Sequence, residues 1–148
     1  MAIIREVCKQ PTPRCESAKV LDGLHVLVVD DDEDIALVYA MSLRAAGATV
    51  RAALNGAAAL EAICAGTFDI VVSDLDMPGI DGMEMMRVLR ASSDPFRTIP
   101  ALAVTGSARV DIRAQALRAG FDAFAVKPLS ATKLLEAVKG LVRNSVES

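Results

Sequence analysis

Short, unbroken apolar runs recur through this chain, and each is followed by a segment of helical period. Val26-Leu27-Val28-Val29, Ile70-Val71-Val72, Ala101-Leu102-Ala103-Val104 and Ala123-Phe124-Ala125-Val126 contain no polar side chain. A strand with one wet face alternates apolar and polar residues, so the first of these continuous runs is read as a strand buried on both faces, and the others as further strands. Thr49 to Ala53 is a weaker run interrupted by Arg51, which a strand at a sheet edge tolerates. In the first intervening segment Ile35, Val38, Tyr39, Leu43 and Ala46 recur at helical spacing, with Asp32 placed to cap the start and Gly47 to end it. Further helices are expected over Gly56 to Ala65 behind Asn55, from Met83 to about Ala91, and from about Arg109 to Ala119 before Gly120. A last one follows Ser130, where Leu134, Leu135, Val138, Leu141 and Val142 form one apolar face. Strand and helix alternate five times, which implies a doubly wound α/β fold: a parallel sheet, helices on both faces, right-handed crossovers.

The remaining properties narrow the function classes. A chain of 148 residues, 53% hydrophobic, suits one packed domain over residues 23–148. Residues 1–22 are different in character, mostly polar with Pro11 and Pro13, and read as a flexible extension or a linker. The net charge is −3 and no Lys/Arg block occurs, so direct contact with nucleic acid is not expected. No apolar run approaches the roughly 18–20 residues of a membrane span, and the N-terminus is a poor signal peptide, so a cytoplasmic protein is expected. Cys8, Cys15 and Cys64 are odd in number and form no CxxC pair, as reduced thiols do.

In a parallel sheet the ligand site lies outside the carboxyl ends of the strands. Asp30 and Asp31 follow the first apolar run, Asp74 the third, Thr105 the fourth and Lys127 the fifth. All five therefore project from one edge. Clustered carboxylates raise one another's pKa unless a cation sits among them, and an all-oxygen set of this kind suits Mg²⁺. Lys127 adds a fixed positive charge and Thr105 a hydroxyl. Together these are what a transferring phosphoryl group needs around its oxygens, with a carboxylate in their midst able to attack phosphorus.

With those residues in view, the chain from about Leu24 to Val142 resembles a response-regulator receiver domain of two-component signalling. Leu27-Val28-Val29-Asp30-Asp31 is similar to the family's acidic pair, and Ser73-Asp74-Leu75-Asp76-Met77-Pro78-Gly79-Ile80-Asp81-Gly82 to its phosphorylation motif. Val104-Thr105-Gly106 and Val126-Lys127-Pro128 match its switch threonine and its lysine-proline motif. The resemblance implies a flavodoxin-like sheet of order 2-1-3-4-5 with five helices. It also implies that Asp74 accepts a phosphoryl group from a sensor histidine kinase or a histidine phosphotransfer protein. Asp31 would bind Mg²⁺ directly, Asp30 directly or through water, and the backbone carbonyl of Asp76 would be a further ligand; Mn²⁺ could substitute. Lys127 would pair with the acceptor carboxylate and then with the phosphoryl oxygens. Thr105 would swing inward, with Phe124 as the switch aromatic packing behind it. Gly106 would leave the donor's path open, and Ser107, like Asp76, sits where the family tunes hydrolysis. The Lys127–Pro128 bond would be cis. Output would pass through the surface from about Arg109 to Lys139, the fourth helix, fifth strand and fifth helix, to an unknown protein target, as a monomer or a phosphorylation-dependent dimer. Apart from Mg²⁺-dependent self-phosphorylation and slow dephosphorylation, no enzyme activity is implied. The chain is either free-standing or part of a hybrid histidine kinase.

One alternative belongs to another class. Asp74-Leu75-Asp76 also resembles the nucleophile motif of haloacid-dehalogenase-like phosphatases, where it follows the first strand of the core.

Overall fold

The computed structural model describes residues 20–77, 79–93, 96–107 and 109–147, with side chains to residue 142. Its elements run β1 (His25–Val29), α1 (Glu33–Ala45), β2 (Thr49–Ala53), α2 (Gly56–Ala65), β3 (Ile70–Asp74), α3 (Gly82–Arg90), a 3₁₀ turn (Phe96–Thr98), β4 (Ala101–Thr105), α4 (Val110–Ala119), β5 (Ala123–Val126) and α5 (Ala131–Glu147). The strands form one sheet of order β2-β1-β3-β4-β5, every pair parallel. The doubly wound architecture and the strand order are those expected. Arg51 lies exposed on the β2 edge, as its charge requires.

Each face of the sheet carries its own core. Val26, Val28, Ile70, Val72, Leu102 and Val104 pack under α1 and α5 through Tyr39, Leu43, Leu134 and Val138. Leu27, Val29, Val71, Ala101 and Ala103 pack under α2, α3 and α4 through Ile63, Met85, Met86, Leu89 and Ala116. That alternation is why β1, β3 and β4 read as continuous apolar runs: both their faces are dry, and each fully buried Val or Leu contributes roughly 1.5–3 kcal/mol, whereas β5, at the sheet edge, is apolar in sequence but only half-buried.

Sequence signals at the helix ends act as expected. The Asp32 carboxylate accepts from the backbone N–H of Asp34 at 3.0 Å and of Ile35 at 3.3 Å, and Asn55 from that of Ala58 at 2.7 Å. Gly47 and Gly120 leave α1 and α4 at φ +104° and +123°, a region where only glycine is unstrained.

Several boundaries move. β3 extends two residues beyond its apolar run and β4 one, because Asp74 aligns with Val104 and Thr105 with Val126 in the ladder. α3 starts at Gly82, since Asp81 caps it through the N–H of Glu84 at 2.8 Å. α4 starts at Val110, with Arg109 in the cap position. The packed body begins before residue 23: Leu21 is 1% exposed and its N–H donates to Ala46 O at 2.8 Å. Cys8 and Cys15 lie outside the described residues, and Cys64 is exposed. No helix among the described residues is long and apolar enough to cross a membrane.

Candidate functional site

Three apolar strands end in the residues that build the site. Asp30 follows β1, its N–H held by Ala53 O at 3.1 Å, and its side chain is 2% exposed. Asp74 closes β3 and is 6% exposed. Lys127 follows β5, its N–H held by Thr105 O at 2.7 Å, and the next peptide, Lys127–Pro128, is cis as expected. Strand alternation puts Asp30 in phase with Val26 and Val28, Asp74 with Ile70 and Val72, and Lys127 with Ala123 and Ala125. All three thus belong to the α1/α5 face of the sheet.

The carboxylates of Asp30, Asp31 and Asp74 offer oxygens that lie within 4.8 Å of one another. Asp31 is exposed, the other two buried, so the cluster is a pocket with one wet wall. The Lys127 ammonium closes it. Nζ donates to Asp30 Oδ2 at 3.0 Å and stands 3.5 Å from Asp74 Oδ2. The lysine therefore bridges two acids: the pairing with Asp74 that the motif suggested is present, and a shorter contact to Asp30 is added. The second Asp30 oxygen accepts from Asp32 N–H at 2.9 Å, and Asp74 Oδ1 from Asp76 N–H at 3.3 Å.

The electrostatics follow from burial and charge. Burial raises the Asp74 carboxyl above its usual range, and the neighbouring Asp30 raises it further, against the opposing pull of Lys127 and of the Asp76 N–H. Burial pushes the Lys127 ammonium down, but the Asp30 hydrogen bond and the charge of Asp74 outweigh it, and the group lies above its ordinary value. An oxygen-only donor set with excess negative charge fits a hard divalent cation, and Mg²⁺ in particular, which accepts a few carboxylates while keeping waters.

The other expected residues lie around this pocket with different partners. Thr105 closes β4, 1% exposed, and its hydroxyl accepts from Ser107 N–H at 3.2 Å. Alternation places it in phase with Ala101 and Ala103, on the opposite face from Lys127. Ser107 is half-buried and its hydroxyl accepts from Arg109 N–H at 3.3 Å, a turn role at the entry to α4. A Cβ built on Gly106 would meet nothing within 4 Å, so that position faces open space. Phe124 is half-buried and packs against the α2/α3/α4 core, on the same face as Thr105. Asp76 is exposed.

Three contributors escaped sequence reasoning. Ser73 Oγ donates to the carbonyl of Asp74 at 2.8 Å, inside the protein. Gly82 passes so close to the Asp74 backbone that an added Cβ would collide with Asp74 O and stand 3.0 Å from Leu75 Cα. Tyr39, read only as an apolar position of α1, lines a cleft of about 500 Å³ together with Lys127, Pro128 and Leu129. A glycine after a turn gives no hint of what approaches it, and a helical tyrosine looks like any core residue.

Residues 26–139 match the family model described as the response regulator receiver domain. The chain is 36% identical over 118 residues to the transcriptional regulatory protein PrrA of Mycobacterium bovis, covering 80% of this chain and 49% of PrrA. It is 34% identical over 117 residues to the chemotaxis protein CheY of Pseudomonas aeruginosa, covering 78% of this chain and 94% of CheY. Among solved structures, the signal receiver domain of a signal transduction histidine kinase from Syntrophus aciditrophicus superposes with a TM-score of 0.76 at 28% identity, covering 82% of this chain and 92% of that one. The chain thus spans about half the length of the transcriptional regulators it matches, and nearly all of CheY.

Proposed function

The chain belongs to the response-regulator receiver domain family of two-component signalling, and from that premise we propose that it accepts a phosphoryl group on Asp74 from a phosphohistidine. The observation that carries this reading is the pocket itself: Asp74 lies with Asp30 and Asp31 in a cluster spanning 4.8 Å, with Lys127 Nζ 3.5 Å from its carboxylate. The donor is a sensor histidine kinase or a histidine phosphotransfer protein.

One oxygen of Asp74 attacks phosphorus; the phosphorus–nitrogen bond breaks, and the imidazole leaves with its electron pair and takes up a proton. Lys127 moves from its bridge between Asp30 and Asp74 to the transferred oxygens, whose charge it offsets. Asp31, Asp74 and the Asp76 carbonyl would hold Mg²⁺, with Asp30 bound directly or through water, and the ion would supply charge neutralisation at the phosphoryl oxygens; Mn²⁺ could replace it. Thr105 gives up the Ser107 N–H and turns its hydroxyl to the phosphoryl group, and Phe124, on the same face, packs into the space behind it. Gly106 leaves the approach to Asp74 open. Hydrolysis of the acyl phosphate is slow and is tuned by Asp76 and Ser107.

The modification adds about −1.5 to −2 charge at the end of β3 and biases two packings of the α4-β5-α5 region. That surface is the output, read by a protein partner. The phosphatase alternative is not retained, because Asp74 ends β3 in a chain that matches the receiver family over residues 26–139.

Incubation with acetyl phosphate and Mg²⁺ tests the reading. The wild type is expected to gain a phosphoryl mass and Asp74→Asn none. Equal labelling of the two proteins overturns the assignment of Asp74.

A further inference from the structure

One buried group beside the pocket takes no part in the steps above. Tyr39 is the chain's single tyrosine, and the chain has no tryptophan. It is 7% exposed, on the core side of α1, yet part of it faces the cleft that also receives Lys127 and Pro128. That cleft, about 500 Å³, is mostly apolar, with Ile35 and Val38 on the same helix.

The cleft creates a difficulty for Lys127. A lysine stem has four rotatable carbons and costs up to about 2 kcal/mol of conformational entropy to fix. Here its side chain is only 20% exposed and its ammonium sits between two acids, although open volume lies beside it. The Asp30 and Asp74 contacts hold the ammonium, but the stem can still explore that volume to the extent its lining permits. Pro128 and Leu129, which follow Lys127 in the chain, and Tyr39 line the same volume, and the Tyr39 ring limits how much of it the stem can enter. Its phenol also senses the ions: burial raises it above its usual range, Lys127 pulls it back, and Asp30 and Asp74 raise it again.

We propose that Tyr39 is a positioning residue for phosphoryl transfer: its ring walls the Lys127 stem, so that the ammonium stays between Asp30 and Asp74 instead of turning into the cleft. The inference rests on the reading of Asp74 as phosphoacceptor. The ring, not the hydroxyl, carries the role, because no hydrogen bond joins Tyr39 to Lys127 and the stem alone needs a wall.

A double-mutant cycle on the rate of Asp74 phosphorylation by acetyl phosphate, at fixed Mg²⁺, tests it. Tyr39→Ala is expected to slow labelling about tenfold, less than the roughly hundredfold that a 1 Å misplacement can cost. Tyr39→Phe is expected to stay within about twofold of wild type, and Tyr39→Ala to have no further effect once Lys127→Ala is present. Should Tyr39→Ala fail to fold, Tyr39→Leu takes its place in the cycle with the same expectations. Equal fold-losses in the two backgrounds would mean general loosening of α1, and would overturn the proposal. An undiminished rate in Tyr39→Ala would do the same, as would a Tyr39→Phe as slow as Tyr39→Ala. A wild type that takes no phosphoryl group sinks the phosphoacceptor reading and this inference together; a labelled wild type with an additive cycle sinks the inference alone.

Discussion

Asp74 is a carboxylate placed where charge is disfavoured, between a protein interior and a second acid. Its carboxyl is raised in the folded state, so between the usual aspartate range and that raised value the native protein holds more protons than the unfolded one. Stability therefore falls as pH rises through this window, and the cost persists above it. Asp74→Asn removes the cost: in metal-free buffer at pH 7 the variant is expected to melt at a higher temperature than wild type. The gap should close as pH drops below about 4, the ordinary aspartate pKa. Mg²⁺ should raise the wild-type midpoint and leave the variant's nearly unchanged; thermal melts at several pH values, with and without Mg²⁺, check all three points. Asp31 is exposed, and on the proposed function it would bring a full charge to the ion. Asp31→Asn is expected to raise the Mg²⁺ concentration at half-saturation at least about tenfold, the lower end of what even outer-shell changes cost. Because Tyr39 is the one tyrosine and no tryptophan masks it, its emission is a direct readout of that titration.

The elements show which sequence signals have a local cause. Caps do: Asp32 and Asn55 act as their positions foretell because the partner N–H groups lie two or three residues away. Asn55→Ala is expected to cost about 1 kcal/mol and Asn55→Gly only a few tenths, measured by urea denaturation. Close approaches have no local cause. At Gly56 an added Cβ would stand 2.5 Å from Ile80 O, and at Gly82 it would strike the Asp74 carbonyl. These two glycines let the loop after β3 lie against the starts of α2 and α3, and nothing in either one's neighbours says so. Gly82→Ala is expected to cost about 1–3 kcal/mol by overpacking and, since backbone rather than a flexible side chain is hit, to weaken Mg²⁺ binding as well. The ends of β3 and β4 lie beyond their apolar runs for a related reason. Ser73, Asp74 and Thr105 are polar, so the apolar runs stop before them, but their backbones still pair with the next strand.

At the scale of the whole molecule, the alternation of buried strands and helices was legible because both sheet faces are dry. Strand order was not in the pattern; it came with the motif resemblance. That Asp30, Asp31, Asp74 and Lys127 come together was legible because polar residues at strand ends converge in any parallel sheet. What stayed hidden was the pairing, Lys127 nearer to Asp30 than to Asp74, which depends on Å-scale placement. Also hidden was a clasp at the far end of the sheet. Arg90 donates to Gly120 O, Arg97 O and Asp122 Oδ2 at 2.9–3.0 Å, and Asp122 Oδ2 in turn accepts from Ala101 N–H. In the sequence Arg90 is only a basic residue at a helix end. Its ion pair with half-exposed Asp122 adds little, but among the described residues Arg90 is the one side chain that donates to these two carbonyls. Arg90→Ala is expected to cost about 1.5–3 kcal/mol in denaturant unfolding, with the Mg²⁺ titration at the other end of the sheet unmoved.

Asp30, Asp74 and Lys127 stand on one side of the sheet, and Thr105 and Phe124 on the other. The sheet is thus a bulkhead: the clustered charge is stored in one compartment, and the residues proposed to move lie in the next. On the proposed function, a signal has to round the rim at the tips of β3 and β4, where the Thr105 hydroxyl would trade the Ser107 N–H for an anion, so damage to either compartment would silence a different half of the message.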